Sequence, residues 1–143
     1  MTFFLDANVV IYSAVDSPYR DACLEVITAV ADGGAAGRTS TAALEEVWHA
    51  EISGKGGSIE GLTGYSYSVL TPLLPVTDEI VRRALDLDAP RLGANDRVHV
   101  ATCLVNGIDV IVSADQGFDG VKGVRRIDPL DERARRRLLS AAR

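Results

Sequence analysis

The stretch NDRVHVATCLVNGIDVIVSAD, residues 95–115, decides how the chain is built. Its first half carries Val100, Ala101, Leu104 and Val105 at helical spacing, with Asp96 where the helix begins and Gly107 where a left-handed residue closes it. Its second half, Ile108 to Val112, is rich in β-branched residues and does not alternate with polar ones, the pattern of a central parallel strand. That strand runs into Ser113-Ala114-Asp115. A helix feeding a buried strand that ends on an acid is a unit of an α/β sheet, and such sheets bind ligands beyond the carboxyl ends of their strands.

The same grammar extends outward. Thr2 to Leu5 is a short apolar strand that meets Asp6-Ala7-Asn8. Cys23, Val26, Ile27, Val30 and Ala31 repeat at three and four until Gly33-Gly34 stops the helix. Ser40 or Thr41 can cap a further helix whose apolar face is Leu44, Val47 and Trp48, with Trp48 expected in the core. Residues 53–64 hold five of the thirteen glycines and read as a flexible loop. Leu70 to Val76 is a short apolar run interrupted by Pro72 and Pro75, and Thr77 can cap a helix presenting Ile80, Val81, Ala84 and Leu85 on one side. A last strand around Val124 to Ile127 precedes Pro129 and a basic tail. Strands and helices alternate throughout, so the expected architecture is a single α/β domain over residues 1–143, its parallel sheet covered on both faces.

Composition narrows the function. With 47% hydrophobic and 24% charged residues among 143, the chain is globular. It has no apolar run of the roughly 20 residues that span a bilayer and no signal-like segment, so a cytoplasmic protein without a membrane role is expected. Cys23 and Cys103 sit on apolar helical patterns and read as buried, reduced thiols. The net charge of −5 is divided unevenly: residues 120–143 hold eight basic residues against three acids, leaving residues 1–119 with seven basic and seventeen acidic residues, a net of −10. An acidic body is what several carboxylates converging on a cation produce.

Asp6 and Asp115 stand at strand ends and Asp96 at a helix start leading to the second of them. Carboxylates gathered at one point repel one another and shift upward in pKa unless a cation neutralises them, and hard divalent ions with oxygen ligands, Mg2+ or Mn2+, fit. His49 and His99 are the only histidines, and no Cys–His spacing suggests zinc; His99 reads as a packed or capping histidine. There is no phosphate-binding glycine loop followed by Lys-Ser/Thr and no nucleophile elbow. A phosphoaspartate enzyme pairs its nucleophile with a second Asp two positions on and a downstream Lys, whereas here Asn8 holds that position and no Lys follows near the later motifs. Metal-assisted hydrolysis remains.

FLDANVVIYS at 3–12, STAALEEVWH at 40–49, NDRVHVATCLVNGIDVIVSADQGFD at 95–119 and IDP at 127–129 together resemble the PIN-domain family, and most nearly the VapC-type toxins of bacterial toxin–antitoxin pairs. The resemblance implies a PIN-like three-layer α/β/α fold. It implies a metal-dependent endoribonuclease whose one or two Mg2+ or Mn2+ ions are held by Asp6, an acid in Leu44-Glu45-Glu46-Val47, Asp96 and Asp115. The family's register favours Glu46, and Glu45 stays open. Asn8 and Ser113 are expected to orient a carboxylate, a water or the phosphate, and Asp119 is a peripheral acid or a loop residue. Toxins of this kind cut RNA, are neutralised by a small antitoxin and pair as homodimers; apolar residues around Trp48 and Leu70 are interface candidates. A PIN-like RNA-binding or assembly module without catalysis is the alternative. It predicts lost acids, yet all four positions are acidic.

Overall fold

Phe3, Phe4 and Leu5 are all fully buried, each contributing about 1.5–3 kcal/mol by leaving water, and they fix β1 (Thr2–Leu5) at the centre of the molecule. In the computed structural model, residues 1–55 and 57–141 are described. Gly56 of the glycine-rich loop and Arg143 of the basic tail lie outside them. β1 pairs in parallel with β2 (Ala36–Arg38) on one side and β3 (Val110–Val112) on the other, and β3 pairs in parallel with β4 (Arg125–Ile127). The order β2-β1-β3-β4 reverses direction between β1 and β3, the switch point at which open α/β sheets bind ligands. A single parallel bridge, Ser40 to Leu74, adds a rudiment of a further strand beside the chain that leaves β2.

Alternation along the strands builds two cores. Phe3 and Leu5, with Val110, Val112 and Ile127, face one cluster, while Phe4 and Ile111 face the other. The first face is covered by α1 (Ala7–Tyr12), α2 (Arg20–Ala31), α4 (Leu62–Leu70) and α7 (Glu132–Ser140). The second is covered by α6 (Ala94–Val105), with α5 (Asp78–Leu85) packed outside it. The helix α3 (Thr41–Ser53) gives Ala43 to the second core and Val47 to the first. The result is the expected three-layer α/β/α fold about a parallel sheet. Both cysteines are buried and free.

Several expectations change. Trp48 is 56% exposed, because α3 buries the stripe of Ala43 and Val47, where small or β-branched residues permit close packing, and this turns the indole outward. Leu70, expected as interface, is buried at the end of α4. The glycine-rich loop is shorter than expected: Gly54 closes α3 at φ 65°, Gly61 precedes α4 at φ 83°, and Gly64 lies inside α4. In α5 only Ile80 and Ala84 are buried, whereas Val81 is largely exposed and Leu85 is 78% exposed. The short elements α1 and β2 carry no periodic signal and were not expected.

Candidate metal centre

The sheet ladder continues one residue past each central strand. Asp6 N–H donates to Val112 O at 3.1 Å and Ser113 N–H to Ile127 O at 3.1 Å, which sets Asp6 and Ser113 side by side at the carboxyl edge. Asp6 is only 5% exposed. Its Oδ1 accepts from Ala7 N–H (2.8 Å), starting α1, while its Oδ2 accepts from Ser113 Oγ–H (2.7 Å) and Asn8 Nδ2–H (3.1 Å). The Asn8 amide also reaches Ser113 Oγ (3.1 Å) and accepts from Ala114 N–H (3.2 Å), stitching the turn after β1 to the turn after β3. Asn8 and Ser113 therefore both orient the Asp6 carboxylate.

α3 and α6 bring the remaining groups. Asp96 sits in the first turn of α6 and His99 one turn later on the same face. Gly93 is the N-cap, so Asp96 is not spent as a cap. His99 is fully buried against Phe4, with ring centroids 5.5 Å apart, and its Nε2 lies 3.2 and 3.3 Å from the two Glu46 oxygens and 3.7 Å from Asp6 Oδ1. Ligand atoms of Asp6, Glu46 and His99 all fall within 4.8 Å of one another. Glu46 thus faces the cluster and is partly buried, whereas its neighbour Glu45 is exposed. Asp115 is exposed and accepts from Gly117 N–H (2.8 Å) at the 3-10 turn Gln116–Phe118.

Electrostatics register the crowding. Burial, then the charges of Asp6 and Asp115, push the Asp96 carboxyl up to about 6, against the pull of His99. Burial also raises Asp6, opposed chiefly by His99 and by the Ser113 hydrogen bond. Burial disfavours the His99 imidazolium, but the Glu46 hydrogen bond and the charges of Asp6, Glu46 and Asp96 outweigh it and raise the ring's pKa. An oxygen-rich donor set in which acids repel one another fits a hard divalent cation.

Asp119 takes no part in this cluster. It is exposed and paired with Arg126 through two hydrogen bonds (2.8 and 3.1 Å), which holds its carboxyl below the ordinary range. Arg126 also donates to Ser113 O (2.9 Å) and pairs with Asp128 (3.3 Å), fixing the end of β3. Arg97, beside Asp96, donates to the carbonyls of Leu92, Leu87 and Ala89 at 3.1, 2.9 and 2.8 Å and ties down the loop before α6. Neither arginine lies in a recognisable motif, and His99, expected to pack or cap, does pack against Phe4 while its Nε2 also meets the acids. The basic helix α7 packs against α2, where Arg135 is bound to Glu25, and Arg136 pairs with Glu132 within the helix.

The PIN-domain family profile matches residues 3–124. No curated protein sequence matches the chain significantly. Among solved structures, VapBC2 from Rickettsia felis bound to a promoter DNA fragment is similar at a TM-score of 0.67 and 15% identity, covering 90% of this chain and 100% of that one. A toxin–antitoxin complex from Klebsiella pneumoniae is similar at a TM-score of 0.65 and 17% identity, covering 88% of this chain and 96% of that one. At these identities the likeness concerns the fold.

Proposed function

The chain belongs to the PIN-domain family, whose members are generally nucleases, and from that premise we propose that it is a VapC-type toxin, a Mg2+- or Mn2+-dependent endoribonuclease of a type II toxin–antitoxin pair. The observation that carries the reading is the gathering of Asp6 and Glu46, with His99, at the sheet's switch point, with Asp96 held at about 6 by burial first and by the charges of Asp6 and Asp115 second. Structural neighbours that are toxin–antitoxin complexes support the rest of the reading.

The four acids would hold one or two ions. A bound divalent cation supplies Lewis-acid polarisation of a phosphodiester and a water acidic enough to attack near neutral pH. The chain's own contribution is preorganisation. Ser113 and Asn8 lock one oxygen of Asp6, and Ala7 N–H engages the other. Glu46 comes from α3 and Asp96 from the first turn of α6, and Asp115 is exposed, where an RNA phosphate would meet it. No covalent nucleophile is required. The toxin acts in the cytoplasm as a homodimer, and its acidic body, −10 over residues 1–119, favours a basic segment of the cognate antitoxin.

Incubating the purified protein with total RNA, with Mn2+ or with chelator, tests the proposal. Cleavage is expected only with metal and is expected to vanish in Asp96→Asn while Glu45→Gln stays active. Full metal-dependent cleavage by Asp96→Asn contradicts the proposal, as does a wild-type protein that binds RNA but never cuts it, the outcome for a non-catalytic module.

A further inference from the structure

His99 is the one nitrogen group in an oxygen site. Resting on the metal-site reading above, we propose that it is a positioning residue and not a ligand: its Nε2–H is donated to Glu46 so that this carboxylate stays beside Asp6 at a cation's span.

The two ends of the ring decide between the roles. Nε2 stands 3.2 and 3.3 Å from the Glu46 oxygens, hydrogen-bonding distance for an N–H and a repulsive approach for a bare lone pair. Nδ1 is buried and has no hydrogen-bond partner. A neutral imidazole carries one proton. Ligation through Nε2 moves that proton to Nδ1, creating an orphaned buried N–H, which is rare in folded proteins and costly. Ligating histidines nearly always donate their other N–H to a fixed acceptor, and no carboxylate or carbonyl of the described residues stands at Nδ1. With the proton on Nε2, the contacts of the ring to Glu46 and Asp6 are attractions. His99 then couples α6 to α3: Glu46, whose side chain is 29% exposed, is held inward by a group that Phe4 fixes from below. Without that N–H the Glu46 side chain is free to turn to solvent, and the cation loses one wall.

Mn2+ titration of His99→Leu, with folding checked by circular dichroism, is expected to show affinity weakened by roughly 10–100-fold, the usual effect of removing an outer partner of a metal ligand. His99→Gln, whose amide N–H reaches toward the same carboxylate, is expected to recover most of the loss. Pulsed EPR of the Mn2+-loaded wild type is expected to show no directly bonded nitrogen. Nitrogen NMR at mildly alkaline pH is expected to find Nε2 protonated and Nδ1 bare, with and without Mg2+. A directly bonded nitrogen, a protonated Nδ1, or wild-type affinity in His99→Leu overturns the proposal. A protein that binds no divalent ion defeats the metal reading instead, while NMR of the metal-free protein still decides the proton's position.

Discussion

Asp6 serves the fold and the site with the same carboxylate. One oxygen starts α1 and the other is held by Ser113 and Asn8, so the group is ordered before anything binds. Ser113→Ala removes a 2.7 Å hydrogen bond to a buried charge and is expected to cost about 2 kcal/mol in urea denaturation. An unchanged midpoint contradicts that role. Asp96 makes the pH dependence legible. Its folded pKa of about 6 lies above the ordinary 3.8, so folding favours the protonated acid, and the stability this supplies is lost as pH rises through 6. For a half-buried group the effect is about 1 kcal/mol after solvent screening. Metal-free Asp96→Asn is therefore expected to melt above the wild type at about pH 8 and to converge with it as pH falls toward about 4, and the reverse order contradicts the assignment. The acids at positions 6, 96 and 115 were readable in the sequence because each ends or opens a strongly patterned element. The choice of Glu46 over Glu45 rested on the family's register and not on the residues themselves, because adjacent residues differ by about a quarter-turn around a helix and the packing of α3 sets which one faces inward. His99 was read as a core histidine, and it is one, but its polar edge meets carboxylates from two other elements that no local pattern reveals.

Among the elements, those with a clear apolar pattern were legible: β1, α2, α3, α5, α6, β3 and β4. α1 has six residues, too few for periodicity to emerge, and β2 is Ala-Gly-Arg, with no apolar alternation to read. α4 was hidden by the glycines around it and by a Tyr-Ser-Tyr-Ser run that resembles loop composition, although Leu62, Ser66 and Leu70 are its buried stripe. Trp48 and Leu85 misled for the opposite reason, being large apolar residues whose positions on α3 and α5 point to water. β2 owes its place to an absent side chain. A Cβ at Gly37 meets Val30 Cγ2 at 2.6 Å, with Phe3 and Leu5 carbons at 3.1 and 3.2 Å, so α2 lies directly on the strand there. Gly37→Ala is expected to destabilise the protein by about 1–3 kcal/mol in chemical denaturation, the usual penalty for overpacking a filled core. A neutral substitution shows that α2 can retreat from β2.

For the molecule as a whole, the fold spends its ordering on one edge of the sheet. Two arginines hold the loops that flank that edge, Arg97 through three carbonyls and Arg126 through Asp119, Asp128 and Ser113 O. Four of the eight basic residues near the C-terminus, Arg133, Arg135, Arg136 and Arg137, lie on α7, where Arg135 pairs with Glu25 and Arg136 with Glu132. Among the described residues no helix is long and apolar enough to cross a membrane. A folded-state cation site also implies linkage: Mn2+ at 100 times its dissociation constant stabilises the protein by about 2.7 kcal/mol, a gain that Asp96→Asn is expected not to share. The central claim is that four carboxylates drawn from separate parts of the chain form one cation site. Calorimetric titration of Mn2+ into the wild type and into Asp96→Asn near neutral pH tests it most directly. The account predicts saturable binding, with proton release, in the wild type and its loss in the variant; no binding by the wild type, or equal binding by both, contradicts it.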